Sequence, residues 1–284
     1  MIRLLSWNIQ CGRGVDGSVD LHRIAGTIRA AGETDLVCLQ EVARRMPELD
    51  GGAGADQAAE LAALLPAYEP VFGPALDLAD GRGGRRRFGN LVLSRRPVLQ
   101  VFRHQLPQPA DPGALHMPRQ ATEVVVETSL GPLRVITTHL EYHSELQRLA
   151  QAGRLRALQR EAAENALHPP SRPASGPYAD RPRPARCVLC GDLNSLPGDR
   201  VMRRLLAPFP AAIPKFLDAW RVAHGGRPHV PTCGIFDREQ WPEGPHCRDF
   251  FLITADLAGA VAGFTVDGET DASDHQPLLL ELRA

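Results

Sequence analysis

Leu36-Val37-Cys38-Leu39-Gln40-Glu41 carries four apolar residues into an amide and an acid. A short apolar run of this kind reads as a buried strand. It follows residues 20–31, where Leu21, Ile24, Ala25 and Ile28 recur at helical spacing until Gly32 ends the pattern. Residues 2–9 read as another strand, so the beginning of the chain predicts strand, helix, strand, with Glu41 at the tip. Two further acidic signals, Gly191-Asp192-Leu193-Asn194 and Ser273-Asp274-His275, read as carboxylates delivered after apolar strand runs. Acids brought to strand ends from distant parts of a chain suit a hard divalent cation, which takes oxygen ligands and leaves room for water and substrate oxygens.

The rest of the chain continues the mixed pattern. Residues 51–54 are loop, and 57–65 form a short Ala/Leu helix stopped by Pro66. Residues 68–72, 89–93, 98–102, 122–128 and 133–138 read as strands, the last two joined by the turn signal Gly131-Pro132. Residues 144–167 give the longest helix pattern, and 200–206 a short one. Strands follow at 187–191, 250–253, 261–266 and 277–282. Residues 168–186, rich in Pro, Arg and Ser, are expected to be an exposed, disordered connector inside one domain spanning 1–284. A domain boundary there is the weaker reading, because acidic signals on both sides have to converge. Strands and helices so distributed predict an α/β architecture, with helices covering the outer faces of packed sheets.

Composition narrows the partners. The chain of 284 residues is 43% apolar and carries a formal charge of −1. No global basic field favours a polyanion, although a local patch would suffice for nucleic acid. The run Arg82-Gly83-Gly84-Arg85-Arg86-Arg87 reads either as a solvated flexible loop or as an anion-gripping loop beside Gly89-Asn90. Cys187-Val188-Leu189-Cys190 has redox or zinc spacing, but residues three apart on a strand face opposite ways, and no second pair completes a tetrahedral site. No stretch approaches the roughly 20 apolar residues of a membrane span, and no leader pattern opens the chain. The expectation is a soluble cytoplasmic protein.

Polar signals appear in a fixed order: Trp7-Asn8, Leu39-Gln40-Glu41, Gly89-Asn90 with Leu93-Ser94, Thr138-His139-Leu140, Gly191-Asp192-Leu193-Asn194, Arg248-Asp249-Phe250 and Ser273-Asp274-His275. Together they resemble the endonuclease/exonuclease/phosphatase superfamily, with its deoxyribonuclease I-like fold, over the span from Asn8 to His275. The resemblance implies a four-layer α/β sandwich with two central mixed β-sheets flanked by helices and an active site at one rim. It implies hydrolysis of a phosphoester, foremost a phosphodiester, with Mg²⁺ as cofactor and Mn²⁺ able to substitute. Nuclease, phosphomonoesterase, sphingomyelinase-like and inactive binding-module readings stay open.

Singly, each residue has a plainer reading. Acids after strands usually cap or turn the chain, Asp192 and Asn194 suit an Asx-turn, and a lone His139 is more often structural. The resemblance gives Glu41 and Asp274 the metal, with Asn8 beside them and Gln10 where some relatives carry another acid. It gives Asp192 the attacking water or the metal, and Asn194 the phosphate or nucleophile. His275 is placed against the scissile phosphate, with Asp249 accepting its other ring N–H, and His139 assists the leaving oxygen. Asn90 and Arg119 fall on the substrate side, and Glu141, Tyr142 and His143 are placed near the pocket. Whether Asp192 or the His275–Asp249 pair takes the proton of water is open at this point.

Overall fold

The computed structural model describes residues 1–172, 174–210 and 212–283. Strand β1 (Ile2–Asn8), helix α1 (Leu21–Ala30) and strand β2 (Leu36–Arg44) form the expected opening unit. Asp20 caps α1 by accepting from the backbone N–H of His22 and Arg23, satisfying donors that a helix start leaves free. Helix α2 (Gln57–Leu64), β3 (Glu69–Ala79) and β4 (Arg85–Ser94) follow. Then come β5 (Val98–Gln105), β6 (Gln120–Val126) and β7 (Leu133–His139), with β6 and β7 forming the expected hairpin. Helix α3 (Glu145–Leu167), β8 (Cys187–Asp192), α4 (Arg200–Leu206), β9 (Phe216–Asp218) and α5 (Ala219–His224) lead to β10 (Asp249–Thr254), β11 (Val261–Val266) and β12 (Leu278–Leu282).

The strands make two six-stranded sheets, ordered β11-β12-β1-β2-β4-β3 and β5-β6-β7-β8-β10-β9. Each has one parallel pair, β1–β2 in the first and β7–β8 in the second. Three apolar layers explain the stacking. Leu4, Cys38, Val92, Val135, Cys190 and Phe251 fill the space between the sheets. Ile24, Ile28 and Leu61 of α1 and α2 cover the outer face of the first sheet, and Leu155, Leu158 and Val201 of α3 and α4 that of the second. This is the four-layer sandwich. Cys187 joins the outer layer and Cys190 the inner one, as strand alternation requires. Among the described residues no helix is long and apolar enough to cross a membrane.

Three expectations need correction. Strand β3 runs on through Pro70 and Pro74, which it can do because it is a sheet edge and owes no donor on its open side. Strand β4 begins at Arg85, so the second half of the arginine run lies on a strand rather than a loop. Asp77 stands opposite Arg87 in register and takes both Arg85 and Arg87, while Arg86 pairs with Glu48.

The third correction concerns the 168–186 connector, of which residue 173 lies outside the described residues. It is not free chain throughout. Arg183 Nε donates to the buried Glu123 Oε1 at 2.8 Å, and its guanidinium lies 4.4 Å from the centre of the Phe102 ring. Arg134, also fully buried, donates to the same Glu123 oxygen at 3.0 Å. Burial alone would raise the Glu123 carboxyl, but hydrogen bonds from His104 and Arg183 and the charges of Arg134 and Arg183 hold it well below the usual carboxylate range. The short elements β9 and α5 were not readable, since three and six residues are too few for a periodic pattern to stand out.

Candidate active site

The two parallel strand pairs set up the site. Asn8 is opposite Gln40 at the end of β1–β2, and His139 is opposite Asp192 at the end of β7–β8. Both pairs end at the same rim of the sandwich. Glu41 is not at a strand tip as expected. Strand β2 continues past it with a register shift between Leu39 and Val42, and Glu41 adopts φ 56. The extra residue of this bulge releases Glu41 from strand alternation. Gln40 turns inward and donates to Thr137 Oγ1 of the other sheet at 2.9 Å, while Glu41 faces the rim cavity. Gly191 keeps β8 close to β7, because a Cβ there would lie 1.9 Å from the Thr138 carbonyl oxygen at a backbone φ of +131. Asp274 precedes β12 instead of following a strand, and Trp7 anchors its neighbour by donating from Nε1 to the His275 carbonyl at 2.9 Å.

A cavity of about 490 Å³ collects Glu41, Arg119, His139, Asp192, Asn194 and His275, with Asp274 beside them. Asn8 Nδ2 donates to Glu41 Oε1 at 3.0 Å and to Asp192 Oδ2 at 3.1 Å. Its own oxygen accepts from the Gln10 N–H, so Asn8 holds the two acids through its amide nitrogen. Asp274 Oδ2 accepts from Gln240 Nε2 and Trp241 Nε1. Burial, followed by the charge of Asp274, pushes the Glu41 carboxyl up to about 7. Burial also raises Asp192, with His275 pulling the other way.

The two imidazoles have opposite characters. His275 Nδ1 donates to Asp249 Oδ2 at 2.8 Å, and that oxygen also accepts from Thr232 Oγ1 at 2.6 Å. Burial alone would lower His275, but Asp249, Asp274 and Asp192 outweigh it and hold the imidazolium well above the ordinary range. His139 is lowered by burial, then by Arg119 and His275, and stays neutral. Asn194 Nδ2 donates to the Leu140 carbonyl and to His139 Nε2, each at 2.9 Å. His139 Nε2 also lies 3.3 Å from Asp192 Oδ2, while its Nδ1 has no hydrogen-bond partner among the described residues. Asn194 N–H also donates to Asp192 Oδ1, so the Asx-turn and the site geometry coexist.

Arg119 is 5% exposed and lines the cavity. Its Nε donates to Glu141 Oε2 at 3.2 Å, and its Nη1 has no partner among the described residues. Glu141 also accepts from the backbone N–H of Met117 and His143, which fixes the guanidinium from behind. Asn90 is not brought to the cavity wall. Its amide donates to the Gln120 carbonyl at 2.9 Å and ties β4 to β6 between the sheets.

Asp192, Asp249 and His275 bring one donor atom each within 4.8 Å of one another. In that cluster His275 and Thr232 both donate to Asp249 Oδ2, which makes it a hydrogen-bonded relay, and Asp249 Oδ1 has no partner among the described residues. Glu41, Asp192 and Asp274 line the cavity together and suit a hard divalent ion by donor type. They offer oxygen donors only, and the elevated Glu41 is a carboxylate short of positive charge.

The sequence did not reveal Thr232, Gln240 or Trp241. They lie in a stretch between α5 and β10 that has no hydrophobic period, and an aromatic residue amid Pro and Gly was the one available signal.

A family model described as Endonuclease/Exonuclease/phosphatase family matches residues 5–275. No curated protein matches the chain significantly. Among solved structures, an endonuclease/exonuclease/phosphatase from Beutenbergia cavernae DSM 12333 is 27% identical, with a TM-score of 0.62 over 99% of this chain and 71% of that one. A mannosyl-6-phosphatase from Bacteroides thetaiotaomicron VPI-5482 superposes at TM-score 0.69 over 100% of both chains with 14% identity. A 3′ phosphatase from Neisseria, bound to a product DNA hairpin, does so at 0.63 over 100% of both with 17% identity. The last two show a shared fold.

Proposed function

The chain belongs to the endonuclease/exonuclease/phosphatase family, and from that premise we propose that it cleaves a phosphodiester by in-line attack of water, with Mg²⁺ as the resident ion. Hydrolysis of phosphoester bonds is the chemistry of the family. The observation that carries the reading is the convergence of Glu41, Asp192 and Asp274 in one cavity with His139, Arg119 and a His275 held on Asp249.

Glu41 and Asp274 would hold the ion, Asn8 fixing Glu41 from the side. When bound, Mg²⁺ supplies a positive charge opposite the phosphoryl oxygens as negative charge develops on them. Asp192, lifted by burial, is the base that takes the proton of the attacking water, and the Asn194 N–H holds its other oxygen. His275 directs Nε2 toward the phosphoryl group while Asp249 fixes Nδ1. His139, held by Asn194, adds an imidazole on the leaving-group side of the cavity. Arg119, which lines the cavity, adds a guanidinium charge on the phosphate side. Phosphoryl transfer relies chiefly on such positioning and charge stabilisation.

A panel of chromogenic phosphodiesters and monoesters, single-stranded DNA, supercoiled plasmid, inositol phosphates and sphingomyelin, run with Mg²⁺, Mn²⁺ or chelator, tests this. Diester turnover that requires the ion and drops by orders of magnitude in Glu41→Gln and His275→Ala supports it. Turnover unchanged in both variants, or faster on every monoester than on any diester, ends it.

A further inference from the structure

Half of the cavity takes no part in the chemistry described above. A fourth apolar cluster, separate from the three core layers, contains Cys11, Ala43, Met46 and Phe88, with Leu76 and Met117 packed on it. All of these but Ala43 line the cavity, and Leu49 extends the same wall to an exposed position at 37%. The wall is assembled from five places: the turn after β1, the end of β2, β3, β4 and the β5–β6 loop. Among the described residues it presents no charged side chain to the cavity. Two of the chain's four methionines are in it, and methionine adapts to irregular apolar shapes.

Charge distribution says what does not belong there. The nearby arginines of β4 are committed to carboxylates, Arg85 and Arg87 to Asp77 and Arg86 to Glu48. A polynucleotide leaving the reaction centre on this side would place its next phosphate against thioether and phenyl groups, with its desolvation uncompensated. An apolar group placed there would instead be removed from water on a face already built of carbon and sulfur. Pockets of this size, a few hundred Å³ and largely apolar with a few polar groups at one end, are the usual form for small-molecule recognition.

We propose that this wall is the subsite for the organic group of the ester. The substrate is a phosphate ester of a hydrophobic alcohol, alkyl or aryl, whose carbon moiety seats against Met46, Leu76, Phe88 and Met117 while the phosphoryl group faces His275 and Arg119. The inference rests on the phosphoester reading above and names its substrate class.

Non-hydrolysable phosphonates separate the two. Calorimetric titration of the Mg²⁺-loaded protein with methyl-, butyl-, hexyl- and phenylphosphonate reads the wall without any turnover. Affinity is expected to rise about three- to fourfold per buried methylene from methyl to butyl. A phenyl group gaining more than hexyl assigns an aryl substituent, and the reverse an alkyl one. Phe88→Ala should reduce the hexyl-to-methyl ratio several-fold, and the more open Leu76→Asn should do the same if Phe88→Ala unfolds. The inference is overturned if methyl, hexyl and phenyl bind alike, if none binds, or if the gradient survives both substitutions. Loss of ester hydrolysis with the gradient intact instead counts against the proposed reaction.

Discussion

The Nδ1–H of His275 points at Asp249 Oδ2 across 2.8 Å, with both side chains buried. Thr232 donates to the same oxygen, so the carboxylate is held in one orientation before it meets the ring. Replacing Asp249 by Asn keeps the shape and removes the charge. Loss of orientation and tautomer control at a buried imidazole lowers kcat on the order of 10²–10⁴-fold. Asp249 raises the proton affinity of His275, so its loss moves the alkaline limb of the kcat profile to lower pH. An alkaline limb that stays put in Asp249→Asn would remove the relay from the mechanism.

Glu41 couples activity to stability with opposite signs. Its carboxyl, at about 7 in the folded chain, lies above the unfolded value of about 4.3. The folded state therefore binds the extra proton between those values. Stability falls as pH rises through that window, and the full penalty is present above pH 7. Glu41→Gln should raise stability by about 1–2 kcal/mol at pH 8 in chelator, a figure discounted for partial exposure; the side chain is 25% exposed. The difference should vanish below about pH 4, where both states are protonated. Thermal unfolding at both pH values reads this, alongside a loss of turnover of at least about a thousandfold.

Arg119 and Glu141 form a unit in which the acid sets the direction of the guanidinium. Arg119→Lys loses the fork and should weaken inorganic phosphate inhibition by about tenfold. Glu141→Gln keeps Arg119 but loosens it, and should raise KM more than it lowers kcat. Steady-state kinetics on one diester distinguishes this from an effect on the chemical step.

Glu123 stabilises the fold from the opposite face. Held well below its unfolded value of about 4.3, it contributes stability that is fully present above that pH and is lost as pH falls toward the folded value. Glu123→Gln leaves Arg134 buried without its carboxylate and should remove about 3–5 kcal/mol at pH 7. Its unfolding free energy should then depend less on pH below about 4 than that of the parent. Chemical denaturation between pH 2 and 7 measures both.

What could be read from the sequence divides along physical lines. Glu41 and Asp192 were legible because each ends an apolar run, whereas Asp274 and His275 follow a polar stretch and were legible through the ordered set of polar signals. The bulge that aims Glu41 was not, since a period of two does not say which residue is extra. Gly89-Asn90 looked like a substrate contact, yet nothing in a local pattern reveals that Gln120, on a different sheet, takes up the amide. The apolar wall was invisible for a similar reason. Met46, Leu76, Phe88 and Met117 each pass for ordinary core within their own segments, and only the fold makes them neighbours.

Asn8 and Glu41 ride on one sheet, His139 and Asp192 on the other, and Gln40 reaches across to Thr137 directly beneath them. The reaction centre thus exists only along a seam. A slip of one layer over its partner by about 1 Å is enough to cost roughly a hundredfold in rate while every helix and strand survives. Turnover is accordingly a more sensitive gauge of interlayer alignment than any spectroscopic signal of folding, and under hydrostatic pressure or dilute urea it will fade first.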